Sequence, residues 1–289
     1  MTAPQNPITR AIWDGTLPIK FSLDSTEAAA LGAKAIVEPY FIEAPRCSYF
    51  PLWTSQIRKY FVDMALNFIG DDADIWYDVD GTPLKWHYPI GLLYDLHTGY
   101  RPDSNSPPPL PWPVTVHFKN FPTDKLIRAQ AIDATQDFFM SMIKEADFLR
   151  NGSTKKVMNL SKNDQTQLWD GLWSKNYDRF WSVNYRLVIN DGQMPKHIPI
   201  RIYLPDNCPV IQEPISPVDE NGNQLTLGDV LHQVLPELFP SPLPSENASA
   251  APVPVIHGII PQLEIPIVWA SQNLCYPDNF LHIVVLLGI

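Results

Sequence analysis

The sequence predicts an α+β chain in which two β-grasp domains flank a helix-rich domain. Three observations carry that reading. The order strand, strand, helix, strands occurs twice, once before residue 122 and once after residue 195. Between the two runs lies a segment with helical periodicity and no convincing strand. Charge follows the same division: residues 1–119, 120–195 and 196–289 carry net charges of −4, +1 and −7 within a total of −10.

In the first run, Leu17–Leu23 alternates apolar and polar residues as a half-buried strand does, and Ala35–Ile42 follows as a second strand. A helical stretch runs from Ser48 to Ile69. Ile75–Val79 and Leu84–Trp86 read as strands separated by the turn Asp80-Gly81-Thr82-Pro83, and Val114–Phe118 closes the set. In the last run, Ile198–Leu204 and Val210–Val218 are strand-like, with a break at Asp219–Asn223. Thr226 is an N-cap for the amphipathic stretch Leu227–Leu238, whose Leu227, Val230, Leu231, Val234 and Leu235 keep helical spacing. Val253–Ile260, a short helix over Trp269–Leu274 and a terminal strand at Phe280–Leu287 complete it. Both runs read as ubiquitin-like domains, at 17–121 and 196–289.

Residues 124–190 differ in kind. At 100° per residue, Phe139, Met142, Ile143 and Ala146 share one helix face, and a second stretch aligns Leu168, Trp169, Leu172 and Trp173. The aromatic stripe of Trp169, Trp173 and Phe180 reads as core, because tryptophan at such spacing buries a large apolar area. Prolines punctuate the chain: 30 occur against 13 glycines, clustered as an insert at 101–113 and a loop at 236–254. Proline cannot donate to a ladder and disfavours helix before it, so both clusters are loops, and no function is assigned to them.

Composition narrows the function. With 45% apolar and 18% charged residues over 289 positions the chain is globular, and with 31 acidic against 21 basic residues it is not expected to bind nucleic acid. The three cysteines, Cys47, Cys208 and Cys275, are too far apart for a disulfide framework or a zinc knuckle. With neither a signal segment nor an apolar run of membrane-spanning length, the expectation is a soluble cytoplasmic protein. No hydrolase, nucleotide or zinc signature occurs, and the seven histidines are scattered, with His117 and His282 expected to be packed or hydrogen-bonded on the closing strands. No catalytic residue, cofactor or metal is expected.

Two ubiquitin-like domains raise the question of conjugation. Gly288 is followed by Ile289 directly after a strand, a poor donor tail. As an acceptor, Lys144 stands opposite the apolar face of its helix and should meet solvent, with Met140 four residues before it and Phe148 four after. Two readings stand: a docking patch around an amine, or a solvated lysine beside two incidental hydrophobes.

The run from Trp76 through Asp80-Gly81-Thr82-Pro83-Leu84-Lys85-Trp86-His87-Tyr88-Pro89-Ile90-Gly91 to Leu96 resembles the autophagy protein 5 family. Val114–Lys119, Phe139-Met140-Ser141-Met142-Ile143-Lys144-Glu145-Ala146-Asp147, Thr226–Asp229 and Tyr276-Pro277-Asp278-Asn279-Phe280-Leu281-His282 extend the resemblance along the chain. It implies a short N-terminal helix at about Pro7–Asp14, within residues 1–16, and Lys144 as the isopeptide acceptor of the ubiquitin-like autophagy protein 12. It also implies binding of the N-terminal helix of the coiled-coil autophagy protein 16, for which Trp13, Arg46, Tyr88 and Gly91 are the candidate contacts. The assembly would act like a ligase in moving autophagy protein 8 to phosphatidylethanolamine during autophagosome formation. The chain itself would be non-catalytic and would be recruited to the preautophagosomal membrane.

An ordinary lysine amine, titrating near 10.4, is neutral to roughly 0.04% at pH 7, so aminolysis needs help. Asp147 and Asp137, the local carboxylates, would stabilise the ammonium instead. Deprotonation is therefore expected from the external activating and carrier enzymes, docked on Met140 and Phe148. Peripheral membrane contact could use the ten Lys/Arg of the middle segment, though its net charge of +1 makes a solvated surface the plainer reading. The alternative function is an adaptor that binds helical partners and is never conjugated.

Overall fold

The computed structural model describes residues 6–30, 37–65, 74–128, 132–189, 192–205, 208–240 and 251–287. Helix α1 (Pro7–Asp14) starts where the Asn6 side chain accepts from the Ile8 and Thr9 amides and Pro7 needs no partner. Then come β1 (Thr16–Leu23), α2 (Ser25–Ala30), β2 (Tyr40–Pro45), α3 (Pro51–Ala65), β3 (Trp76–Val79), β4 (Thr82–Pro83), α4 (Ile90–Thr98) and β5 (Trp112–His117). The sheet order is β2-β1-β5-β3-β4, with β1 and β5 parallel at its centre and antiparallel partners outside them. Alternate residues Ile19, Phe21, Val114 and Val116 meet Phe50, Ile57 and Phe61 of the α3 segment in one core.

Two local expectations shift here, and one helix appears that the sequence pattern does not announce. The second strand lies at Tyr40–Pro45, later than 35–42, and part of the predicted range falls outside the described residues. Leu84–Trp86 is not a strand: β4 stops at Pro83, and the chain turns so that Trp86 and His87 pack on Phe138. Helix α4 escapes a periodicity search because Ile90 through Asp95 are all buried, which leaves no polar face to set a period.

Helices α5 (Ile132–Asn151), α6 (Lys155–Met158), α7 (Lys162–Trp173) and α8 (Tyr177–Val188) form the bundle. Ser161 and Asn176 cap α7 and α8 through their side-chain oxygens. A Cβ at Gly171 would come within 2.7 Å of the Phe180 amide nitrogen, so α7 and α8 approach as closely as only glycine permits. Trp169 and Phe180 are core, as expected, but Trp173 is 48% exposed because it sits in the last turn of α7, where the helix leaves the bundle.

The last unit contains β6 (Ile200–Tyr203), α9 (Leu227–Val234), β7 (Val253–Val255), α10 (Ile267–Asn273) and β8 (Leu281–Leu286), in sheet order β6-β8-β7. Thr226 and Asp229 close a full capping box on α9. Every residue of β8 is buried. Val210–Val218 makes only isolated bridges, from Ile211 to Ile202, from Ile215 to Ile198 and from Val218 to Gln224. Pro209, Pro214 and Pro217 supply no donors there, so a continuous ladder cannot form.

Helix α5 touches all three units. Phe139 and Ile143 enter the bundle core, Met142 and Ala146 enclose Phe280 of the last unit, and Phe138 receives Trp86 and His87 from the first.

Candidate functional site

Those buried faces leave one free edge on α5, and Lys144 occupies it, exposed. Among the described residues the Lys144 amine makes no ion pair. Phe148, one turn on, is 56% exposed, whereas Met140, one turn back, is half-buried against the bundle core. The expected pair of exposed hydrophobes is thus a single one. Asp147 is not a partner for the amine either: it is buried, its Oδ1 accepting from Asn151 Nδ2 at 2.6 Å and its Oδ2 from the Val157 amide at 3.0 Å. It ties α5 to α6 because a buried carboxylate takes the strongest donors within reach.

The four candidate partner contacts divide. Trp13 is 7% exposed, stacks on Phe180 at 4.9 Å and donates from Nε1 to the Lys175 carbonyl at 3.3 Å. It anchors α1 in the bundle. Arg46, Tyr88 and Gly91 do come together, at the joint between the two sheets. The Arg46 guanidinium reaches both oxygens of Asp95 at 2.6 Å, and the two side chains are only 11% and 4% exposed. A Cβ on Gly91 would lie 2.8 Å from Arg46 Cβ, and one on Gly258 3.1 Å from its Nη2, so glycine on both sides makes room for the guanidinium. Tyr88 stands edge-on to Tyr203 at 5.6 Å. These contacts face inward and hold the domains together. Burial pushes the Asp95 carboxyl up, with Arg46 pulling against it.

His257, next to Gly258, stacks on Tyr276 at 3.8 Å, and its Nε2 lies 3.0 Å from the Leu274 carbonyl. Burial, with Arg46 nearby, holds its pKa down at about 3. Asp95, Gly258 and His257 were not singled out in the sequence, since nothing local to them signals a joint formed across the chain.

Other reactive groups are structural. Burial pushes the Cys47 and Cys275 thiols up to about 12, which suppresses the thiolate. Asp278, His282 and Tyr203 form a hydrogen-bonded run of 2.9 and 2.8 Å, and all three are buried. His117 faces Asp78 at 2.5 Å and Glu27 at 3.3 Å, so both closing-strand histidines are packed and bonded. Asp24, Glu27 and His117 bring possible metal-ligand atoms within 4.8 Å of one another. Glu27 already accepts from the Phe118 and Lys119 amides, and Asp24 from the Glu27 amide, so these carboxylates pin α2 onto β5.

Comparison with known proteins bears on the whole chain. Family models described as the UblA domain, alpha-helical bundle region and UblB domain of autophagy protein ATG5 match residues 12–118, 132–190 and 197–285. Autophagy protein 5 of Drosophila melanogaster is 36% identical over 285 residues, covering 98% of each chain. The chain belongs to the autophagy protein 5 family. The Penicillium rubens autophagy protein 5 is 34% identical over 312 residues, covering 96% of each chain. The crystal structure of Kluyveromyces marxianus Atg5 superposes with a TM-score of 0.75 over 96% of this chain and 98% of that one. At 21% identity that likeness speaks to the fold: two ubiquitin-like domains flanking a helical bundle. As a family member the chain has a role in autophagy. No helix among the described residues is long and apolar enough to cross a membrane.

Proposed function

We propose that the chain is the acceptor of the ubiquitin-like autophagy protein 12, joined to it by an isopeptide bond at Lys144. The observation that carries the reading is the free Lys144 edge of α5, the central helix, whose other faces are buried against all three units. In the reaction the Lys144 amine attacks the thioester that links the modifier's C-terminal glycine to a carrier-enzyme cysteine. A C–N bond forms, the C–S bond breaks, the thiolate leaves and the amine gives up a proton. The buried Asp147 is in no position to take that proton, and the base is assigned to the carrier enzyme. Phe148 is the exposed apolar group available for the carrier to dock on.

The conjugate, with the coiled-coil autophagy protein 16, would promote ligase-like transfer of autophagy protein 8 to phosphatidylethanolamine, and the chain itself contributes no catalytic residue. Membership of the autophagy protein 5 family supports this wider role. The inward-facing Trp13, Arg46 and Gly91 would shape the coiled-coil partner's binding surface from beneath it instead of touching the partner. Reconstituted conjugation, read by intact mass, tests the acceptor. Lys144→Arg is expected to abolish the product; a retained single adduct would overturn Lys144 as the acceptor, and absence of any adduct on the unsubstituted chain would favour the unconjugated-adaptor reading.

A further inference from the structure

The helix that carries Lys144 is gripped from outside its own bundle. At its C-terminal end the Arg150 and Leu149 carbonyls accept from the Lys196 and His197 amides at 2.7 and 3.2 Å, where the chain enters the second ubiquitin-like domain. On its flank, Met142 and Ala146 enclose Phe280. Beside Lys144, Glu145 turns toward the same domain: its Oε1 accepts from Gln212 Nε2 at 2.6 Å, and both its oxygens receive Arg201 Nη2, at 3.4 and 3.3 Å. Arg201 in turn donates from Nε to Gln212 Oε1 at 2.6 Å and lies 4.4 Å over the Phe280 ring. Its own position is set by β6, where it pairs in register with His282 of β8.

A helix is stiff about its axis, and consecutive side chains leave it about 100° apart. Fixing the direction of Glu145 therefore fixes the direction of Lys144. We infer that the second ubiquitin-like domain sets the acceptor geometry, with Arg201, through Glu145, as the positioning residue that aims the Lys144 edge at an incoming thioester. This rests on Lys144 being the acceptor. Among its contacts with the described residues, Arg201 has none with the Lys144 amine. Its effect belongs on the transfer step, where orientation counts, and not on capture of the carrier enzyme.

The test is single-turnover transfer from a carrier enzyme charged with autophagy protein 12 onto the full chain, over a range of carrier concentrations. Arg201→Ala is expected to lower the maximal rate about threefold to tenfold and leave the half-saturating concentration unchanged. Glu145→Gln should act in the same direction, and Arg201→Lys, which keeps a cationic donor for Glu145, should restore at least half of the rate. An unchanged maximal rate overturns the inference, as does a change confined to the half-saturating concentration. So does a loss that lysine fails to restore and that follows a lowered melting temperature. Lys144→Arg leaves the Arg201 network intact, so a product retained there overturns the acceptor reading separately.

Discussion

Two arginines, Arg150 fully buried and Arg46 nearly so, join parts of this molecule in different ways. Arg46, between the two sheets, faces both oxygens of Asp95 at 2.6 Å. Arg150, between α5 and the last domain, donates to Ser271 Oγ at 3.3 Å and to the Asn279 carbonyl at 3.4 Å, with no carboxylate within ion-pair distance among the described residues. Burial pulls the Arg150 pKa down. The first joint is specified by charge, so its geometry depends on a partner that cannot be removed alone. The second is specified by shape, around Phe280 and the helix end, and its cation donates to neutral acceptors only.

The largest expected effect breaks the first joint. Asp95→Ala leaves the Arg46 guanidinium buried without an anion and should cost about 3–5 kcal/mol in urea denaturation. Adding Arg46→Met should recover part of that loss. A single-mutant cost below about 1 kcal/mol would dissolve the contrast. Acid should act next, through buried histidines. His257 is held at about 3 and His87 at about 4, both by burial first, whereas an unfolded histidine titrates near 6.5. The unfolded chain therefore binds protons first as pH falls. Stability from these groups is full above pH 6.5 and declines toward pH 4 and 3, with a slope approaching about 1.4 kcal/mol per pH unit per group. Because His257 lies at the Arg46 joint, His257→Asn should flatten the acid limb of a melting-temperature profile. The smallest effect is at the second joint: Arg150→Met should change stability by no more than about 2 kcal/mol, since it trades long hydrogen bonds to neutral acceptors for relief of an unpaired buried cation. A loss matching that of Asp95→Ala would make the two joints equivalent.

Much of the fold was legible because its signals are local. The alternation in Leu17–Leu23, the Thr226 capping box and the helical face of Phe139, Met142, Ile143 and Ala146 all appear as the sequence predicts. Elsewhere a nonlocal cause overrode the local signals, and in one segment the prolines, themselves local, outweighed the alternation. Helix α4 lost its period to burial on all sides, the Val210–Val218 ladder was broken by prolines, and Trp86 left its strand to cover Phe138. Of the candidate site, the exposure of Lys144 was readable from the wheel, while the inward turn of Met140 and the burial of Asp147 were not.

The sequence by itself determined the order of most strands and helices, which face of α5 is apolar and therefore that Lys144 stands free of it. Only the tertiary structure decided that Trp13, Arg46 and Gly91 point inward, and that Glu145 meets an arginine 56 residues away. The physical reason is range. Periodicity and capping act over one or two turns, whereas a buried charge or a close backbone approach is settled by whatever another part of the chain brings against it.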